Sequence, residues 1–418
     1  MTQGGHIALV VSGGGARGAY EAGALGVLLP ELERRGERPT LYIGASVGAL
    51  NAVVLASHHQ LGAEAQVAMM LETWRSIELS SVIRPIVAQA PISAFFAAAQ
   101  LLSLPGLRLR SLLDNSPLKA NTEQWVDWRG LRSAIDDDGV VFCAVAMSAR
   151  TGKTVVFVDT AEEEEAFHRS HSVAYVRTQT AMEHISASGA LPVLWPPVLV
   201  ENPSKARGWY FDGGLRTNAP IKPALDLGAD RLIVLAVDSI AGPVLTSDLE
   251  ARSEEEPDLS VGLVHLLEGT LTDPLINDMR RLGMINEYLA GDASLGSRLY
   301  RTIRGKPPFK RVPYIFSGPQ ERGTIGQLAS EIYRARYGGL RWLRNPDYRL
   351  ISGLLGGHGP THGELLSLLF FDPDFIEALI ELGADDARAW LEDEHDGDGP
   401  WQESSLTTFK RPRQWTAG

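Results

Sequence analysis

Five residues near the start of the chain have the types and spacing of a nucleophile site: Gly44-Ala45-Ser46-Val47-Gly48. They follow the apolar run Leu41-Tyr42-Ile43 and open a second run, Ala49 to Ala56, with helical character. The pattern reads as strand, sharp turn, helix. Gly44 and Gly48 lack the Cβ atoms that would stop the two backbones from closing on each other. Ser46 then stands at a helix N-terminus, where the dipole and free N–H groups favour developing negative charge. Such an elbow serves attack by a hydroxyl on a carbonyl carbon. Glycine, alanine and serine are common, so an ordinary strand-to-helix turn has the same signature.

A glycine loop precedes the elbow: Ser12-Gly13-Gly14-Gly15-Ala16-Arg17-Gly18. Gly13, Gly15 and Gly18 satisfy the dinucleotide fingerprint G-x-G-x-x-G. That reading needs an acidic residue at the end of the second strand to hold a ribose. The strand ends instead in Gly44-Ala45-Ser46, while Glu31 and Glu33 lie before it. The competing reading is an oxyanion hole. Gly13, Gly14 and Gly15 expose consecutive amides that can meet the oxyanion of a tetrahedral intermediate at Ser46. Arg17, next to Gly18, holds the loop or adds positive charge near the developing anion.

A third stretch, Trp209-Tyr210-Phe211-Asp212-Gly213-Gly214, is an aromatic strand ending in an aspartate and a two-glycine turn. Asp212 is a turn residue or, like Ser46, a group at the C-terminal end of a strand, where active sites of parallel sheets collect. Ten histidines keep a Ser-His-Asp triad open. His265, His358, His362 and His395 follow Asp212, and His358 has the best local context, Gly356-Gly357-His358-Gly359. No histidine has companions at metal-ligand spacing. Cys143, within Val140 to Val145, reads as a buried core residue.

The elements that must position these groups alternate. Ile7 to Val11 is a buried strand, Ala19 to Leu32 a helix, and the elbow strand and its helix follow. Two βα units in succession predict a parallel sheet with helices on its faces. Arg231 to Val237 is a further strand. From Val82 to Leu113 the chain is unusually apolar, a core helix or a flap at a membrane interface, and its apolar run bounded by Pro91 and Pro105 is shorter than the ~20 residues needed to span a bilayer. Glu162 to Glu165 reads as a solvated face. Ser247 to Ser260 reads as an exposed loop, and beyond it the chain is mainly helical. Arg298 to Arg311 is a basic surface. Leu365 to Leu391 has helical periodicity, with a cap and turn expected at Leu382-Gly383-Ala384. The net charge of −12 excludes the dense basic footprint of a nucleic-acid binder. The first residues lack the basic segment of a secretory leader, and one cysteine fits a reducing compartment, so a cytoplasmic location is expected.

Together the three stretches resemble the patatin-like phospholipase family in its bacterial form. Its ordered pattern is met by Gly13 to Gly18, Gly44 to Gly48 and Asp212-Gly213-Gly214, over about residues 5 to 240. The contexts Ala187 to Pro192 and Thr217 to Ile221 are similar as well. The resemblance implies a three-layer α/β/α sandwich with a mainly parallel sheet. It implies a catalytic domain over 5–245, a mostly helical extension over 246–392 packed on or beside it, and a disordered tail over 393–418. It also implies a calcium-independent Ser-Asp dyad, with Ser46 as nucleophile and Asp212 as base, needing no cofactor and no metal. The implied substrate is a phospholipid or another acyl-ester lipid, with peripheral membrane contact through 82–113 at the inner membrane face. The rival to catalysis is a lipid-binding protein on the same fold.

Overall fold

The computed structural model describes residues 6–87, 89, 111–162, 172–240, 262, 265–266, 269–290, 310–355 and 362–406. Among these, nine strands form one sheet: β1 Ile7–Val11, β2 Leu41–Ala45, β3 Val141–Ser148, β4 Thr154–Asp159, β5 Val173–Arg177, β6 Val198–Val200, β7 Gly208–Asp212, β8 Arg231–Leu235 and β9 Tyr314–Ser317. The order is β5-β4-β3-β2-β1-β8-β9, with β7 paired to β3 and β6 to β7. Every residue of β1, β2 and β9 is buried, so helices cover both faces. α1 (Gly18–Arg34) follows the glycine loop, α2 (Val47–Ser57) follows β2, and α3 (Ala63–Ser76) follows α2. The fold is the expected helix-covered, mostly parallel sheet, with a helical C-terminal region. Cys143 is fully buried in β3.

The register of β3 positions the site. Its first residues pair with β2 in parallel, ending at Ala45 opposite Val145. Its other edge carries β4 from Phe142 to Met147. β7 therefore takes the β2 edge beyond Val145, running antiparallel with Asp212 opposite Ala146. Along one edge of β3, β2 and β7 meet head to head, and the meeting point is Ser46 and Asp212. The aspartate strand runs against the parallel set, because β3 outlasts β2 and only an antiparallel strand can bring its own C-terminus to the gap.

The C-terminal region is not a separate layer. β9 joins the sheet in parallel with β8, and the helix Pro373–Glu392 packs along α1. Gly383 does not end a helix as expected. The helix runs through it, and the missing Cβ lets the backbone rest on the Tyr20 carbonyl of α1. Residues 393–406, expected within a disordered tail, are folded: Trp401 is buried, its Nε1 donates to Glu37, and Gln402 bridges to Tyr314. Residues 407–418 lie outside the described residues, as do Ser247 to Ser260, Glu163 to Glu165, Arg298 to Phe309, His358 and most of the apolar run, 88 and 90–110. The basic run ends in ion pairs, Lys310 with Asp230 and Arg311 with Glu403.

Candidate active site

Ser46 stands between β2 and α2 with φ 54° and ψ −129°. Left-handed backbone is costly for a residue with a Cβ, and such strain collects at reactive sites. The neighbouring glycines make it attainable. A Cβ on Gly44 would overlap the Gly48 backbone, and one on Gly48 would overlap the carbonyls of Val11 and Ser12. Strand and helix thus close around the serine at backbone contact. The Ser46 amide donates to Ser188 Oγ at 3.0 Å, and Ser188 Oγ donates in turn to the Val145 carbonyl at 2.6 Å. Ser188 ties the elbow to the position where β3 changes partner.

Asp212 is 2% exposed. Burial raises its pKa to about 6, opposed by hydrogen bonding from the Ser46 side chain and the Gly214 amide. That amide reaches Oδ1 at 2.7 Å. A carboxylate near 6 is a better base than an exposed one and is still ionised at neutral pH. The Gly213 backbone lies against the Val145 carbonyl, which holds the turn under β3.

The glycine loop lies across from the pair. The Gly13 amide donates to Asn218 Oδ1 at 2.9 Å, so it is not one of the free donors expected there. The amides of Gly14 and Gly15 have no acceptor among the described residues. The left-handed position is Gly15, φ 60°, where a Cβ would strike the Leu368 carbonyl; Gly14 is extended at φ 172°. Gly18 begins α1 against Trp74 and Val47. Arg17 points away from Ser46. Its guanidinium is bonded to Ser367, Asp238 and Glu364 behind the loop.

Ser46, Asp212, Asn218, Gly13, Gly14 and Gly15 line one cavity of about 120 Å³. Its remaining walls are mostly apolar, including Leu50, Trp74, Ile185, Leu194, Leu369 and Phe371. Val82, from the apolar run, also lines it. Lys119 and Asp212 are its charged residues, and the Lys119 ammonium has no ion-pair or hydrogen-bond partner among the described residues. Val193, between the lining residues Leu191 and Leu194, joins Ser46 as the other described non-glycine residue at positive φ, 73°. Among the described residues no histidine lines this cavity. His265 borders a cavity behind the loop, His362 is bonded to Ser352, and His395 stacks on Trp390. Among the described residues no group of three metal-ligating side chains forms.

Sequence reasoning gave no role to Glu21, nor to Ser188 and Asn218 within the contexts Ala187 to Pro192 and Thr217 to Ile221. Glu21 is fully buried in α1 and takes hydrogen bonds from the Ser12 amide and hydroxyl at 3.1 and 3.0 Å and from Asn51 Nδ2 at 3.0 Å. Burial raises its pKa to about 8, opposed by Ser12 and Asn51. The signal was there: one acid in the small, apolar stretch Gly18 to Leu25. Asn51 also accepts from Trp74 Nε1 at 2.8 Å, which links the glycine loop, α1, α2 and α3.

A family model described as patatin-like phospholipase matches residues 9–225, just over half of the chain. No curated protein sequence matches. Among solved structures, VipD from Legionella pneumophila is similar, with 14% identity and a TM-score of 0.31. The similarity covers 92% of this chain and 66% of VipD, so this chain spans just under two thirds of that protein.

Proposed function

This chain belongs to the patatin-like phospholipase family, a family of esterases and phospholipases, and we propose that it hydrolyses lipid acyl esters through a Ser46–Asp212 dyad. One observation carries the reading. A serine on a strained elbow faces a buried carboxyl of raised pKa inside an apolar cavity, with two unpaired amides on the facing wall. Ser46 Oγ attacks the ester carbonyl and its proton passes to Asp212. The oxyanion takes the N–H groups of Gly14 and Gly15, which have no competing acceptor to leave. Collapse expels the alcohol, which recovers the proton from Asp212. A water then attacks the acyl-enzyme, gives its proton to Asp212, and Ser46 leaves as the alcohol.

The apolar walls suit an acyl chain, and the unpaired Lys119 suits an anionic headgroup such as a phosphate. No step calls for a metal or cofactor. Among the described residues no helix is long and apolar enough to cross a membrane. The experiment is hydrolysis of a soluble short-chain ester and of phospholipid vesicles, beside mass mapping of a fluorophosphonate adduct. Ser46→Ala is expected to lower kcat about 10⁴-fold or more while the protein stays folded, and the adduct to map to Ser46. Retained activity in Ser46→Ala, with label on another residue, refutes the assignment.

A further inference from the structure

Arg17 is a charged residue inside the glycine loop, and the catalytic reading gives it no contact with substrate. It is 6% exposed, and its donors are taken from three directions. Nε donates to Ser367 Oγ at 2.8 Å, and one terminal nitrogen donates to Asp238 Oδ1 at 2.7 Å. The other donates to the Glu364 carboxylate at 2.7 Å and the Glu364 carbonyl at 2.8 Å. Burial alone would lower the Arg17 pKa, but pairing with Asp238 and Glu364 outweighs it and the net shift is upward. The guanidinium is therefore a fixed cation, and its planar fork fixes direction as well as charge.

These contacts bear on the reacting atoms through short backbone links. The Arg17 amide donates to the Gly14 carbonyl at 3.2 Å, which closes the turn presenting the Gly14 and Gly15 amides. The Ala16 amide donates to the Leu368 carbonyl at 3.0 Å, and that same carbonyl fills the space where a Cβ on Gly15 would go. Leu368, Leu369 and Phe371, from the same segment as Glu364 and Ser367, line the cavity around Ser46. None of these residues falls within 9–225, the stretch matched by the family model.

We propose that Glu364 is a positioning residue for the reaction: by holding Arg17 it fixes the glycine loop, so the C-terminal segment 364–371 is part of the catalytic unit. The proposal rests on the dyad reading above. An oxyanion hole works only if its donors are in place before charge develops, and a small misplacement costs rate rather than binding. A buried arginine that loses one of two carboxylates is left undercompensated and must shift or draw in water, and the loop shifts with it.

The test uses the full chain and a soluble short-chain ester, with fluorophosphonate labelling of Ser46 scored in parallel. Glu364→Gln keeps the shape and removes the charge at a side chain that is 26% exposed. It is expected to lower kcat about 10-fold with KM within about twofold. Arg17→Lys gives up the fork and should lose at least as much. If the two act through one another, the double variant Arg17→Lys/Glu364→Gln will be no slower than Arg17→Lys alone. Ser367→Ala removes one bond from Arg17 to a neutral acceptor and serves if the charge variants misfold; it should lower kcat alone, by about 3-fold. Unchanged kcat in Glu364→Gln or Ser367→Ala with only a lower Tm overturns the proposal, as do losses that multiply in the double variant. A wild-type protein that neither hydrolyses the ester nor takes label at Ser46 refutes the dyad reading itself, a result distinct from an active wild type with indifferent Glu364 variants.

Discussion

The glycine loop has two sides, and they are built on opposite rules. In front lies a cavity of about 120 Å³ with apolar walls and two amides without acceptors. Behind lie Arg17 with its four bonds and a larger cavity of about 480 Å³, and beneath the loop's first residue lies the buried Ser12–Glu21–Asn51 cluster. Size does not mark the candidate site, since the larger cavity is lined by neither Ser46 nor Asp212. Satisfied polar groups behind the loop hold it still, and the unsatisfied donors in front are tolerable because the loop cannot turn to satisfy them. Buried polar networks are high-stakes in this sense: complete, they define one geometry.

The widest separation between the two sides comes from the dyad. Asp212→Asn keeps the shape and removes the base, and it is expected to lower kcat about 10⁴-fold, matching Ser46→Ala in the same ester assay. In the wild type, kcat/KM should fall as the pH drops below about 6, because Asp212 must be ionised to accept a proton. An acid limb well below that value would mean that Asp212 is not the base.

Next is Glu21, buried in α1 and lining neither cavity. Its folded pKa of about 8 lies above its ordinary 4.5, so between those values the folded protein binds more protons than the unfolded chain. Its contribution to stability is full at the acid end and is lost as the pH rises through that window. Melting followed by circular dichroism should show Tm declining across the window, and Glu21→Gln should flatten the decline by about 3 °C or more. Equal slopes in wild type and variant would remove Glu21 as the titrating group.

The smallest effect is in front. Leu369→Ala opens the apolar wall without touching a polar group. It should raise KM for a long-chain ester several-fold and leave a short-chain ester within about twofold, since each buried methylene is worth about 0.8 kcal/mol. An equal change for both chain lengths would place the acyl chain elsewhere.

What could be read from the sequence follows the same division. Gly44, Gly48 and Gly15 were legible with Ser46 because close backbone approach or positive φ restricts residue type to a few choices, and those choices recur in order. Asp212 was legible as a strand end, but its strand's direction was not, since alternation and aromatic content are the same in either direction. Ser188 and Asn218 were invisible as supports because a serine or asparagine acquires that role only from what folding places beside it. Gly383 was misread because a glycine in a helical pattern either ends a helix or lets another backbone approach, and only the Tyr20 carbonyl decides. Trp401 was assigned to a tail because its neighbours are acidic and polar, yet it is 1% exposed beside Glu37.

The late arrival of β9 has a consequence during synthesis. β8 is complete at Leu235, and the strand that covers its outer edge is not made until Ser317. At roughly 5–20 residues per second, the nascent chain carries an open strand edge, apolar from Leu232 to Leu235, for about 4–16 s. The α1 surface that receives the helix Pro373–Glu392 waits longer still. An unpaired strand edge is a template for pairing with another chain. Slow translation between Leu235 and Ser317, or release of a chain cut within it, would therefore favour aggregation between neighbouring nascent chains over completion of the sheet.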